Sequence, residues 1–287
     1  MIANLVNYKT FPIWYINTIP EIFRESNRTD EETWIKLAIF KGEMEFATLD
    51  NTGNITGMHY FSVDNQPPFI IPQHRHKIVT VSDDIECQLS FYCDKKDYCR
   101  KKYGLPQTHS NVIKATKIIA GGKALDLGCG SGRNALYLNL FEFDVDAVDK
   151  NENCIKNLNQ IIKQDFLTKI KAKVYDINQA NLTGQYDLII STSVMMFLQP
   201  DRISDIINNM QNITNSKGYN LIVNAMSTAD YPCSIPFPFT FKKEELRQYY
   251  QNWNIIEYNE NVEQLHKTDH NGNHIRLRFA TLLAQKK

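Results

Sequence analysis

KALDLGCGSGRNALYLNLF, Lys123 to Phe141, is the stretch that decides how this chain folds. KALDL is a short apolar run of the kind that makes a buried strand, and RNALYLNLF carries its leucines and tyrosine at helical spacing. Between them Gly128, Gly130 and Gly132 stand at alternate positions. Glycines there let the backbone take φ values closed to other residues and let a ligand approach the main chain with no Cβ in the way. Strand, glycine loop and helix in that order form the cofactor-binding turn of an open α/β sheet.

Working outward, the pattern after this turn keeps alternating strand with helix, the mark of a mostly parallel sheet covered on both faces. Strands are predicted at about 123–127, 144–149, 170–175, 186–191, 219–226, 254–261 and 275–284, seven in all. Asn271-Gly272 between the last two signals a tight turn, so they should pair as an antiparallel hairpin at one edge. Upstream, TWIKLAIFKG, EMEFATL, ITGMHYFSV, HKIVTVS and ECQLSFYC read as five or more antiparallel strands of a small sandwich or barrel. The charged segment Asp94–Gln107 breaks that rhythm as a linker or first helix. This sets a β-rich domain over 1–95 and an α/β domain over 96–287.

The spacing G-x-G-x-G differs from the dinucleotide fingerprint G-x-G-x-x-G, and Asp126 stands two residues before the first glycine. S-adenosylmethionine has an ammonium, a carboxylate and a sulfonium but no phosphate, so an acid at the loop entrance suits it. The next strand ends in Asp149, placed to accept both ribose hydroxyls. KVYDI ends in Asp176, which can take the adenine amino group while Ile177 packs on the ring. Arg133 and Asn134 open the helix. Asn134 reads as a cap or a ligand contact, Arg133 as a ligand contact or a solvated cation. Ser191 and Thr192 begin the loop after strand four, at the same edge of the sheet.

These motifs resemble the class I S-adenosylmethionine-dependent methyltransferases, a Rossmann-like fold. More narrowly, DLGCGSGRNALYL, GYNLIVNAMSTADYPC (Gly218 to Cys233), FPFTFKKEELRQYY (Phe237 to Tyr250) and VEQLHKTDHNGN (Val262 to Asn273) resemble the tellurite-resistance methyltransferase family, TehB. The first 95 residues resemble the extra domain of its longer members, so the resemblance spans essentially the whole chain. It implies S-adenosylmethionine as cofactor, with Lys150 beside Asp149 and with Tyr103 and His109, in the segment before the first strand, joining the cofactor set. It implies a catalytic histidine followed by a cation, here His266 and Lys267. Members carry Arg where this chain has His274, so a fixed cation becomes a pH-dependent one.

Composition narrows the partners. The chain has 287 residues, 43% of them hydrophobic, enough to bury a core in each of two domains. Lys plus Arg balances Asp plus Glu, 32 against 32, so no overall field draws it to nucleic acid or an anionic membrane. MIANLVNYKT lacks the basic start and apolar run of a secretory signal, and a cytoplasmic location is expected. The six cysteines, Cys87, Cys93, Cys99, Cys129, Cys154 and Cys233, form no C-x-x-C pair, so reduced thiols are expected. Cys129, between two loop glycines, reads as packing under the cofactor. His74 and His76 make an H-x-H, but the position where a carboxylate ligand would follow is Thr80, and no metal is expected.

The acceptor should sit at the carboxyl edge of the parallel strands. The loop read after strand six, Gln264 to His274, gathers His266, Lys267, Asp269, His270 and His274. Such a cluster can hold an oxyanion or a thiol for in-line attack on the methyl carbon, although hairpin tips are polar for solvation alone. With an oxyanion whose lone pair is already free, His266 orients and neutralises; with a thiol or hydroxyl it is a general base. The leading expectation is methyl transfer to tellurite or selenium compounds. The alternatives are a methyltransferase for another thiol or metabolite, and a cofactor-binding sensor or scaffold. Strand four is followed by STSVMM, unlike the N-P-P-Y type motif that holds a flipped base. The oligomeric state is left open.

Overall fold

The computed structural model describes residues 5–25, 27–268 and 270–287, without the side chains of His266 and Lys267. The chain divides into two compact units, residues 1–104 and 105–287. Among the described residues no helix is long and apolar enough to cross a membrane.

The first unit is built from β1 (Leu5–Thr10), β2 (Asn27–Arg28), β3 (Trp34–Lys41), β4 (Glu43–Leu49), β5 (Ile55–Ser62), β6 (Arg75–Val81), β7 (Glu86–Asp94) and helix α1 (Lys95–Tyr103). Burial alternates along β3 as its sequence does, with Ile35, Leu37 and Ile39 inward. The strands form two antiparallel sheets, β1-β7-β3 and β2-β6-β4-β5. Their inner faces meet around Trp14, Leu37, Met44, Phe46, Ile78 and Leu89, a sandwich core. Five of these strands fall where alternation predicts them. β1 and β2 were not expected, because LVNYKT is half exposed and β2 has only two residues. Helix α1 starts at Asp94, whose carboxylate accepts the Lys96 N–H, and stops at Gly104 in the left-handed conformation. It packs on β1 and β7, so the charged segment stays with the β-unit and the division falls after Gly104.

The second unit contains α2 (Ser110–Ala115), β8 (Gly122–Leu127), α3 (Arg133–Leu140), β9 (Phe143–Asp149), α4 (Glu152–Gln164), β10 (Ile170–Val174), β11 (Tyr186–Thr192), α5 (Ile203–Asn212), β12 (Thr214–Ala225), α6 (Glu245–Tyr249), β13 (Asn254–Thr268) and β14 (His274–Gln285). Its seven-stranded sheet has the order β10-β9-β8-β11-β12-β14-β13. Pairing is parallel from β10 through β12, and β14 runs antiparallel to both of its neighbours. Strand order therefore reverses between β8 and β11, where a cleft opens at the carboxyl ends of the parallel strands. Central strands are apolar along their length, as double-sided burial demands: Leu188, Ile189 and Ile190 in β11 are fully buried.

One expectation is corrected. β13 continues to Thr268, so Gln264 to Thr268 are strand and not loop. Their partners lie on β14, Gln264 opposite Arg276 and Thr268 opposite His274, with a register shift between these pairs. Only one face of an edge strand needs apolar residues, which is why EQLHKT reads as a polar tip in sequence.

Candidate functional site

All three loop glycines have positive φ, 70° at Gly128, 54° at Gly130 and 95° at Gly132, but they serve different ends. A Cβ on Gly128 would lie 2.4 Å from Val194, and one on Gly132 would lie 2.5 Å from Leu158. Those two glycines allow close packing. Around Gly130 nothing lies within 4 Å of that position, leaving the main chain open to a ligand. The N–H groups of Gly128 and Cys129 both donate to the Val148 carbonyl, at 2.8 and 3.0 Å, and Gly132 N–H donates to Cys129 O. Cys129 is buried, and burial pushes its thiol well above the ordinary range, which removes it as a nucleophile.

Asp149 ends β9 beside this loop. Its two carboxylate oxygens accept from the Gly130 N–H at 2.9 Å and the Asn151 N–H at 2.8 Å. Asp176, after β10, accepts from the backbone and side-chain amides of Asn178. Both carboxylates line a cavity of about 330 Å³ together with Gly128, Lys150 and Ile177. Val194, Phe197 and Leu198 add an apolar wall, with Tyr175 and Ser193 beside it. Two acids facing an apolar slot suit a ribose and a flat heteroaromatic ring.

Asp126 is 1% exposed, and its Oδ2 has no hydrogen-bond partner among the described residues. Burial pushes this carboxyl up to about 7, against the opposing pull of the Arg133 guanidinium. A buried orphan acceptor at the glycine loop is what an incoming ammonium group would complete. The residues present thus fit S-adenosylmethionine at both its adenosine and its amino-acid ends.

A second cavity has a volume of about 380 Å³. Gln107, His109 and Arg133 line it from one side, and Glu263, Gln264, Leu265 and Phe279 from the hairpin. His109 caps α2, its Nδ1 accepting the Asn111 N–H at 3.2 Å, so the neutral ring carries its proton on Nε2. Burial, then the positive Arg133, push this imidazole down to about 4. Ser193 lines both cavities. It holds φ +60°, uncommon for a residue other than glycine, and its N–H donates to Val223 O at 2.7 Å.

The other expected residues have distinct places. Asn134 is buried, its Oδ1 accepting from His109 N–H at 3.1 Å and its Nδ2 donating to Thr192 Oγ1 at 3.0 Å. It ties the segment before α2 to β11, with both polar ends of its amide engaged. Ser191 and Thr192 are buried in β11, two residues and one residue short of the cavity wall that Ser193 supplies. Tyr103 belongs to α1 of the first unit, its ring edge-on to Tyr98. His274 is exposed and donates from Nδ1 to Leu265 O at 3.1 Å across the hairpin. The side chains of His266 and Lys267, and Asp269 altogether, lie outside the described residues. Ser193, Phe197 and Gln264 were not expected as wall residues; only their nearness to the ends of strands four and six hinted at it.

Compared with known proteins, residues 91–283 match the family described as tellurite resistance protein TehB, and residues 9–89 match the TehB-like domain. The chain belongs to the TehB family. A Haemophilus influenzae (strain 10810) protein named probable S-adenosyl-L-methionine-dependent methyltransferase TehB is 49% identical over 283 residues, 99% of each chain. The crystal structure of TehB from Haemophilus influenzae superposes with a TM-score of 0.93 at 48% identity, covering 100% of both chains. An Eikenella corrodens protein named hemagglutinin 1 is 44% identical over 242 residues, 84% of this chain and 80% of its own. TehB membership thus rests on both units and on the α/β site.

Proposed function

We propose that this chain transfers the methyl group of S-adenosylmethionine to a small soft nucleophile, tellurite foremost and selenium compounds with it. The observation that carries this reading is the meeting of two cavities at Ser193, one fitted to an adenosine and one where the donors Arg133, His109 and Gln264 stand with the single carboxylate of Glu263. Bound S-adenosylmethionine supplies an electrophilic methyl carbon on a good leaving group, so the protein's task is placement. Asp149 accepts the ribose hydroxyls, with Lys150 beside it. Asp176 and Ile177 take the adenine, and Asp126 receives the ammonium. Arg133 and the Nε2–H of His109 offer donors to the carboxylate where the two cavities adjoin. Glu263 and Gln264 line the acceptor's side, and His266 and Lys267 follow on the same strand as the groups that orient and neutralise an oxyanion. His274, bonded to the Leu265 carbonyl, steadies that stretch of the hairpin. A tellurium lone pair needs no deprotonation, so orientation and charge neutralisation suffice.

Titration calorimetry of the purified chain with S-adenosylmethionine, followed by mass-spectrometric detection in solution of methylated products from tellurite, selenite and a panel of thiols, tests this. Donor binding together with a methylated tellurium oxyanion and S-adenosylhomocysteine formed in step with it supports the reading. Absence of donor binding overturns it, and turnover confined to thiols reassigns the acceptor.

A further inference from the structure

We infer that the first unit carries a second ligand site, for a small monocarboxylic acid with an apolar body. A cavity of about 280 Å³ lies within this unit, separate from the residues of the α/β site. Phe46, Phe61 and Phe69 wall it, and its polar lining is confined to Thr48, His59 and His74. Strand register explains the arrangement. Phe46 of β4 stands opposite His59 of β5, and Thr48 stands opposite Gly57, so all four positions share one face of the sheet.

A Cβ on Gly57 would lie 3.0 Å from Thr48 Oγ1 and 3.2 Å from His59 Nε2, so the glycine is what lets this hydroxyl and this imidazole stand close together at the cavity wall. The other histidine of the H-x-H pair is differently occupied: His76 is buried, donates from Nδ1 to the His74 carbonyl at 3.1 Å, and stacks on Phe46. That leaves His59 and His74 as the imidazoles facing the cavity. No carboxylate and no lysine or arginine lines it. Donors without a competing acid favour an anionic head, and three phenyl rings favour an apolar tail.

The test is calorimetric titration of the full-length protein with phenylacetate, and with phenylacetamide and phenethylamine as neutral and cationic counterparts of the same shape. Phenylacetate should bind, the amide at least about tenfold more weakly, and the amine not at all, since a charge-assisted hydrogen bond is at stake. His59→Phe should weaken phenylacetate by about tenfold or more. Gly57→Val, a residue that strands tolerate but whose side chain presses on Thr48 and His59, should abolish binding. Both variants should keep the wild-type circular dichroism spectrum and affinity for S-adenosylmethionine. No binding of phenylacetate at millimolar concentration, equal binding of acid and amide, or binding indifferent to both folded variants overturns the proposal. So does tight nickel binding lost in His59→Phe. Should either variant fail to fold, His74→Asn, at the mouth of the same cavity, reads the same loss.

Discussion

At the scale of single residues, Asp126 and Ser193 make the sharpest demands. Asp126 titrates near 7 in the free chain because it is buried, and only the carboxylate form can receive an ammonium. Affinity for S-adenosylmethionine should therefore weaken as pH falls through that value, approaching tenfold per unit; calorimetry from pH 5.5 to 7.5, below the range in which the donor's own ammonium loses its proton, checks this. The sign for stability is opposite. A folded-state value above the unfolded one makes the free chain lose stability as pH rises from about 4 towards about 7. Asp126→Asn should therefore raise the melting temperature of the free protein at pH 8 while weakening donor binding and flattening its pH profile. Ser193 holds a left-handed backbone where the two cavities meet. Ser193→Val, with a β-branched side chain at φ +60°, should cut turnover far more than donor affinity, as single-turnover kinetics set beside calorimetry will reveal.

At the scale of elements, the glycine loop is seated on helix α4. Leu158 is fully buried where a Cβ on Gly132 would collide. Leu158→Ala should cost about 2–5 kcal/mol in chemical denaturation of the α/β unit and loosen donor binding with it. Much at this scale could be read from sequence. Strand endings at Asp149 and Asp176 are visible because an acid after a buried apolar run has few structural uses, and Asn271-Gly272 announces the hairpin. The misses have physical causes. Serine does not advertise a positive φ, so nothing in sequence marks Ser193 apart from Ser191 and Thr192, which are buried in β11. Asn134's engagement with both His109 and Thr192 is a tertiary fact. β13 was read too short because an edge strand carries charge along its length.

At the scale of the molecule, the two units have separate cores and are joined through residues 104–107, where Gly104, Pro106 and Gln107 are exposed. Limited proteolysis should cut there first, and the released 105–287 fragment should keep S-adenosylmethionine binding, since the donor cavity is built wholly from that unit. A fragment that no longer binds would show that the first unit takes part. The division near this point was legible as a shift from alternating strands to charge, but α1's membership in the β-unit was not, because its docking on β1 and β7 has no signature in KKDYCRKKY. The glycine loop, finally, bears on which molecules this protein must ignore. Inside a cell, phosphorylated nucleotides crowd every adenosine pocket, and loops of this kind ordinarily welcome them with a nest of free amides. Here the amides of Gly128, Cys129, Gly130 and Gly132 are all committed to acceptors of the protein itself. A polyphosphate reaching the slot would face Asp149 and Asp176 with none of those four donors to greet it, so the main chain of this loop offers ATP and NAD no phosphate nest.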